Sequence, residues 1–358
     1  MELHEHDNLS GGRRVIKILK LLGLWHYGGA MRTPYLLYSG LLHSVFSIPY
    51  TTMMCMDVVQ ASDLEKFTYT MYMTLTELGM VVKLVNVWFY SRLLVDFFAA
   101  FTHDKLYQLQ DAEEQQSWQR TQKNYSRVAF LYFTISLSTL ATAFVGVLYS
   151  DEYELPFPYA PPFDWRTPRG YWYAYCYELL AMPISCLSNC AFDMIQCYML
   201  LQLSLCFKVI SARLERMGAL REGSTTHGFS EVRFHRDFVD IVRLHARTKL
   251  LSQQCQTYIS FPFLIQIICS SFVLCFSAYR LQKANLIMVL QIFIPCYCGN
   301  NIIEYSSGLN NATYNAEWFR CSPRMRKYLV IYMEMLQRPV RVRAGDFFDI
   351  SLTIFAKV

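Results

Sequence analysis

Charged residues are scarce in this chain of 358 residues. Only 17% of its residues are charged, whereas 53% are hydrophobic. Soluble domains usually carry charge on about a quarter of their residues. This shortage excludes an ordinary soluble protein and indicates a protein that lies in a membrane.

The sequence also lacks the motifs of catalysis. No HExxH zinc motif, GxSxG nucleophile motif or phosphate-binding loop occurs, and the eight His residues lie mainly in the polar ends and loops. We therefore expect that the protein is not an enzyme and that it has no cofactor and no nucleic-acid partner. Internal repeats and matched spans broken by Gly or Pro are absent too, which argues against a secondary transporter.

A disulfide framework, a metal site and a cleavable signal peptide are not expected either. Ten of the twelve cysteines lie within or against apolar runs, where a free Cys behaves as a small hydrophobic residue. The first 30 residues carry Arg and Lys but no cleavable apolar core.

Long apolar runs are what the chain does have, and they predict an all-α membrane protein forming one domain over residues 1–358. A basic, amphipathic segment at 1–34 comes first. Complete membrane spans are predicted at 35–56, 67–90, 128–149, 171–193, 255–279 and 284–303. The fourth run continues to Phe207 and is too long for the bilayer, so its helix should extend into the cytosol towards Met217.

Two features of the spans and loops call for interpretation. The second span contains Glu77 and Lys83, which either snorkel, satisfy one another within the bundle, or serve transport. The loop at 150–170 contains five prolines, which exclude a regular helix and predict an ordered loop or lid.

The distribution of positive charge predicts the orientation in the membrane. Of 33 Lys and Arg residues, 26 lie in residues 1–34, 91–127, 208–254 and 304–343, and five lie in the opposite loops. Positive loops remain cytoplasmic. The N-terminus is therefore predicted inside and the Pro-rich loop outside, an arrangement opposite to that of a G-protein-coupled receptor. The sequons at Asn8, Asn124 and Asn311 then face the cytosol and should carry no glycan.

The C-terminal stretch from Asn315 to Phe355 changes character twice. An amphipathic basic helix comes first and should end by Pro339. After Ala344-Gly345 an apolar segment opens, predicted as a seventh membrane helix at 347–358. Its 12 residues fall short of the roughly 20 that a span requires, so the sequence is expected to stop in mid-membrane.

The order of Tyr314, Trp318, the basic helix, Gln337-Arg338-Pro339 and Ala344-Gly345 resembles the C-terminal signature of insect odorant receptors. Residues 244–281 and 290–314 resemble the fifth and sixth spans of that family with their approaches. The resemblance implies a seven-transmembrane-helix bundle with a cytosolic N-terminus and long helices that extend into a cytosolic anchor region, here 304–343.

The same resemblance implies the function. The chain would be an odorant-tuning subunit that assembles with a co-receptor subunit as a heterotetramer and forms a ligand-gated cation channel in the plasma membrane of olfactory sensory neurons. A gustatory receptor is the alternative, and the Gln337-Arg338-Pro339 and Ala344-Gly345 pattern argues against it. A G-protein-coupled receptor is opposed by the charge distribution.

The resemblance places a small, volatile, largely apolar ligand in the outer half of the bundle, among spans two, three, four and six. We chose residues by helical face and depth, although each position also fits ordinary helix packing. The predicted ligand-binding residues are Tyr69, Tyr72, Met73, Thr76, Phe144, Leu148, Trp172, Tyr175, Leu179, Met182, Met288 and Gln291.

Two further sites are predicted near the C-terminus. An apolar stripe on a basic helix needs a partner, which predicts a subunit interface at Met325, Leu329, Tyr332, Met333 and Leu336. Asp346 and Asp349 would concentrate cations at the inner pore vestibule, although Asp346 fits a helix cap equally well.

Overall fold

The computed structural model describes residues 8–25, 31–150, 153–217, 230–279 and 286–357. Helices account for almost all of the regular structure in these ranges, so the predicted all-α class is confirmed. The sequence also predicts a short connection at 280–283 and a flexible break at 218–231. That connection, most of that break and the first seven residues lie outside the described residues.

Ten α-helices follow one another along the described chain. Their bounds are α1 Arg13–Leu21, α2 Arg32–Leu42, α3 Ile48–Val59, α4 Leu64–His103, α5 Ala112–Val147, α6 Pro168–Glu215, α7 Glu231–Tyr279, α8 Leu286–Asn315, α9 Pro323–Leu336 and α10 Leu352–Phe355. A π-helical segment, His43–Ser47, joins α2 to α3.

Local sequence explains where three of the helices begin. The side chains of Asp63, Thr167 and Ser322 each accept a hydrogen bond from the backbone N–H three residues ahead. These bonds satisfy donors that a helix start leaves without a partner. Proline also stands at the start of α6 and α9, where its missing N–H costs nothing.

Among the described residues, α4 to α8 are long and apolar enough to cross a membrane, judged by length and composition. Each of these five helices contains the larger part of a predicted span and continues well beyond it, except that α8 starts at Leu286. The predicted first span at 35–56 coincides with α2, the π-helical segment and α3. None of those three pieces is long enough by itself.

The inner half of α6 is the centre of the fold. From Cys190 to Phe207 every residue except Leu201 is buried, and the helix packs against α1, α5, α7 and α8. A helix that is hydrophobic on all sides must be surrounded by protein or lipid. Here α6 is surrounded by protein, which accounts for the long apolar run in the sequence.

The predicted seventh helix at 347–358 is wrong in its start. Residues 343–355 form three short elements: β1 Arg343–Ala344, the antiparallel β2 Phe348–Asp349, and α10. Gly345 and Asp346 adopt φ values of 56° and 60° and reverse the chain between the strands. Glycine accepts this left-handed conformation freely and Asp more readily than most residues. Hydrophobicity alone did not reveal the reversal, because apolar residues suit both arrangements.

Candidate ligand-binding site

A small cavity of about 10 Å³ lies between α4, α6, α7 and α8. Its lining comprises Leu75, Thr76, Gly79, Asn189, Gln266, Cys269, Ser270, Val273, Met288 and Gln291. The volume is roughly what one water molecule needs. Any larger ligand has to move the walls of the cavity.

The lining combines apolar side chains with amides and hydroxyls. Gln266 Nε2 donates to Gln291 Oε1 at 2.9 Å and to Ser270 Oγ at 3.1 Å. One side chain therefore joins α7 to α8 at the cavity. Gly79 leaves room on the α4 side, since a Cβ added there would lie 3.9 Å from its nearest neighbour, Gln266 Oε1. A mostly apolar lining with a few placed polar groups is typical of small-molecule sites.

A buried ion pair adjoins the cavity. Lys83 on α4 pairs with Asp193 on α6, and Lys83 Nζ also donates to Asn189 Oδ1 at 2.8 Å. Tyr132 on α5 donates its hydroxyl to Asp193 at 3.1 Å. Because Asn189 also lines the cavity, the cavity wall is connected to charges that tie three helices together.

Lys83 neither snorkels to the surface nor pairs with Glu77. Glu77 instead accepts a hydrogen bond from Ser185, and neither charged residue reaches the surface. Residues six apart lie on different faces of a helix. The partner of Lys83 is therefore found on another helix.

The Pro-rich loop is fixed to the bundle by a buried carboxylate. Glu178 on α6 is fully buried, and its Oε1 accepts from the backbone N–H of Phe157 at 2.9 Å and from Tyr50 Oη at 3.3 Å. Tyr159 of the loop donates its hydroxyl to the carbonyl of Ala174 at 2.8 Å. The loop is thus ordered, as its prolines predicted.

Three of the twelve predicted ligand-binding residues meet in the cavity. Thr76, Met288 and Gln291 come from α4 and α8 and line the same space. The cavity lining as a whole comes from the helices that contain the predicted spans two, four, five and six. Which spans contact a ligand stays a prediction.

The other nine lie outside this cavity. Tyr69 and Tyr72 contact one another, with ring centroids 5.7 Å apart. Phe144 and Tyr175 are buried against the Pro-rich loop, and Met73 and Met182 pack against the same aromatic cluster. Leu148, Trp172 and Leu179 are exposed on the protein surface. No contact of these nine with a ligand is shown, and their role stays a prediction.

The residues that sequence reasoning missed come mainly from α7. Gln266, Cys269, Ser270 and Val273 all line the cavity. A signal was present, because Gln266 and Ser270 are polar residues one helical turn apart in a predicted membrane span, and residues at this spacing share a helix face.

Asp346 and Asp349, the predicted vestibule residues, lie at the β1–β2 hairpin. Asp349 accepts from Arg341 at 2.6 Å and from Arg343 at 3.0 Å, so its charge is compensated within the chain. Asp346 is exposed and accepts from Gln256 Nε2 at 3.3 Å. It belongs to the turn before β2, not to the start of a helix.

The predicted interface stripe on α9 faces inward. Met325, Leu329, Tyr332 and Leu336 are buried within the chain and Met333 is half-buried. Tyr332 packs edge-on against Phe238 and His245 of α7. Burial, with a smaller effect of Lys249, lowers the pKa of His245 to about 4, so the imidazole is neutral at pH values near 7. The stripe therefore has a partner in its own chain.

A second face of α9, which flanks the buried stripe, is exposed and also apolar. Tyr328, Ile331 and Met335 follow one another at helical spacing, and Ile331 and Met335 are 58% and 62% exposed. An apolar surface of this kind is typical of a contact with another molecule.

No metal centre is found in the ranges that the structure describes, where no three His, Cys, Asp or Glu side chains are grouped to hold an ion. All twelve cysteines are free thiols.

Comparison with known sequences identifies several relatives. A family model described as 7tm Odorant receptor matches residues 63–358. Odorant receptor 94a of Drosophila melanogaster is 32% identical to the chain, over 100% of this chain and 96% of the relative. Odorant receptor 2a of the same species is 23% identical, with coverage of 94% and 91%.

Comparison with solved structures supports the fold. The olfactory receptor OR5 of the insect Machilis hrabei, solved in complex with eugenol, superposes with a TM-score of 0.82 at 18% identity, covering 96% of this chain and 93% of that one. A second structure of the same receptor gives the same TM-score at 19% identity. The predicted seven-transmembrane-helix class is confirmed by this agreement.

Proposed function

Because the chain belongs to the 7tm odorant receptor family, we propose that it is the odorant-recognising subunit of a ligand-gated cation channel and that the odorant binds between α4, α6, α7 and α8. The protein is a multi-pass membrane receptor and not an enzyme. The cavity supports this proposal, because its lining combines apolar with hydrogen-bonding groups.

The proposed ligand is a small, volatile, largely apolar molecule. The Machilis receptor was solved with eugenol, and we propose a ligand of similar size for this chain. The small cavity has to expand around such a molecule. A ligand that fits only the expanded form shifts the protein towards that form.

The proposed route from binding to gating begins at Asn189. This residue lines the cavity and accepts a hydrogen bond from Lys83 of the Lys83–Asp193 ion pair. Expansion of the cavity therefore displaces a partner of a charge pair that joins α4 to α6. Such a pair tolerates little separation, since charges buried in a protein depend on their partners.

Assembly with a co-receptor into a heterotetramer is proposed through the cytosolic helices, as the resemblance to the family implies. The predicted stripe with Leu329 supports α9 from within, and the exposed face with Tyr328, Ile331 and Met335 is the better candidate for contact with a second subunit. Asp346 is the better of the two proposed vestibule residues, because Asp349 is already paired with two arginines.

The proposed location is the plasma membrane of olfactory sensory neurons, with the N-terminus in the cytosol. The positive charges concentrated in residues 1–34 and in the alternate loops support this orientation.

Expression in cells that lack olfactory proteins tests the proposal. The chain is expressed alone and then with the co-receptor, and current is recorded against a panel of volatile compounds. We expect cation current only from the pair, and without any added G protein. Normal surface expression of both chains without current from any compound would contradict the proposal.

A further inference from the structure

Gln266 has an unused hydrogen-bond acceptor in the cavity. The residue is only 7% exposed. Both hydrogens of its Nε2 are engaged, one with Gln291 and one with Ser270. Its Oε1 accepts no hydrogen bond from any residue that the structure describes. An amide oxygen can accept two hydrogen bonds, so this one is available to a hydroxyl group that enters the cavity.

The space in front of this oxygen is kept open by Gly79. A Cβ at Gly79 would have Gln266 Oε1 as its nearest neighbour, at 3.9 Å, and both residues line the cavity. Any larger side chain on α4 would extend into this space. The acceptor and the open space therefore belong to the same part of the cavity.

Ser270 adds a donor one helical turn away. Its Oγ accepts from Gln266, and in the described chain its own hydroxyl proton has no acceptor. The cavity thus offers one free acceptor and one free donor, both carried by α7. Apolar residues such as Leu75, Val273 and Met288 complete the lining.

We propose that the cavity selects small alcohols over ketones and hydrocarbons of the same shape, with the ligand hydroxyl donating to Gln266 Oε1. This inference rests on the proposed odorant-receptor function and adds the chemical class of the ligand. An alcohol satisfies both Gln266 and Ser270, a ketone accepts only from Ser270, and a hydrocarbon satisfies neither.

Sets of ligands matched in shape test this order. One set is 1-phenylethanol, acetophenone and cumene, and a second is cyclohexanol, cyclohexanone and methylcyclohexane. The chain is expressed with its co-receptor, and the concentration for half-maximal current is measured. In the better-recognised set we expect the alcohol to be about threefold to tenfold more potent than the ketone, the range for one net hydrogen bond, and the hydrocarbon to be weakest.

Two substitutions assign the two contacts. Gln266→Met should remove the difference between alcohol and ketone, and Ser270→Ala should narrow the difference between ketone and hydrocarbon. Gln253→Met is the matched control, because Gln253 is an exposed residue of the same helix, and it should leave the order unchanged. Surface expression of each variant is measured in parallel.

The outcomes separate this inference from the proposed function. Currents whose potency follows shape alone, or an alcohol preference that survives Gln266→Met at normal surface expression, would overturn the inference and leave the receptor function intact. If no compound of either set or of the wider panel gates a current, the proposed function fails and the inference fails with it. If Gln266→Met does not reach the surface, the potency order of alcohol, ketone and hydrocarbon on the unmodified chain decides whether the inference holds.

Discussion

The two halves of α6 have different surroundings. In the inner half, from Cys190 to Phe207, protein covers every residue except Leu201. In the outer half Trp172, Tyr173, Leu179 and Leu180 are at least 45% exposed, and the cavity and the Pro-rich loop lie beside this half. A close-packed interior resists movement, so we expect the proposed ligand-dependent movement to take place in the outer half. The Lys83–Asp193 pair lies where the halves meet.

Breaking that ion pair should have the largest effect. Asp193→Leu leaves Lys83 buried without its counter-charge, which costs about 3–5 kcal/mol, and we expect loss of surface expression. The double variant Lys83→Met with Asp193→Leu should recover much of it, because no charge then stays buried. Lys66→Met is the control, since Lys66 pairs with Asp57 near the surface and its loss should cost about 1 kcal/mol or less. Equal loss of surface expression in Asp193→Leu and Lys66→Met would show that the Lys83–Asp193 pair has no special role.

The next test compares the buried and the exposed apolar faces of α9. Leu329→Asp buries a charge without a partner and should prevent folding, at a cost of several kcal/mol. Ile331→Asp combined with Met335→Asp changes only exposed positions, so the chain should fold and reach the detergent extract as a monomer. We expect this double variant to lose co-purification with the co-receptor. Undiminished co-purification would remove the outer face of α9 from the proposed interface.

A pair of methionines sharpens the account of the outer half. Met288 lines the cavity, whereas Met182 packs against aromatic clusters outside it. Met288→Ala should enlarge the site and shift potency several-fold towards bulkier odorants, because a large-to-small change leaves unfilled space. Met182→Ala should lower thermal stability and leave the rank order of odorants as it was. The opposite result would move the site towards the Pro-rich loop.

The smallest expected effect concerns which half lies inside the cell. Asn124 and Asn311 are exposed members of sequons, so burial does not protect them from glycosylation. With the predicted orientation both face the cytosol, and treatment with an endoglycosidase should leave the mobility of the protein unchanged. A mobility shift that Asn124→Gln or Asn311→Gln abolishes would show that the predicted inner half lies outside the cell.

The sequence indicated the positions of the long helices, because long apolar runs favour helices that cross a membrane. Three of these helices, α6, α7 and α8, continue through Pro183, Pro262 and Pro295. The sequence predicted the partners of buried polar residues poorly. Lys83 pairs with Asp193, and no periodicity within one helix indicates a residue on another. The contribution of α7 to the cavity was missed for the same reason, although Gln266 and Ser270 gave a local signal.

Two other differences have physical causes that hydrophobicity does not record. The stripe on α9 looked as though it needed a second chain, yet Phe238 and His245 of α7 provide the contact for Tyr332. The apolar segment after Ala344 looked like a helix, yet the left-handed conformations of Gly345 and Asp346 reverse it. In both cases tertiary contacts or backbone geometry decided between structures that the same composition allows.

Filling the cavity tests the central claim most directly. Gly79→Leu places a side chain into the space beside Gln266, whereas Gly146→Leu adds the same side chain to α5 at a position with no atom within 4 Å. With equal surface expression and the co-receptor present, we predict that Gly79→Leu raises the half-maximal odorant concentration roughly tenfold or more and that Gly146→Leu leaves it unchanged. An unaltered odorant response from Gly79→Leu would contradict the placement of the ligand in this cavity.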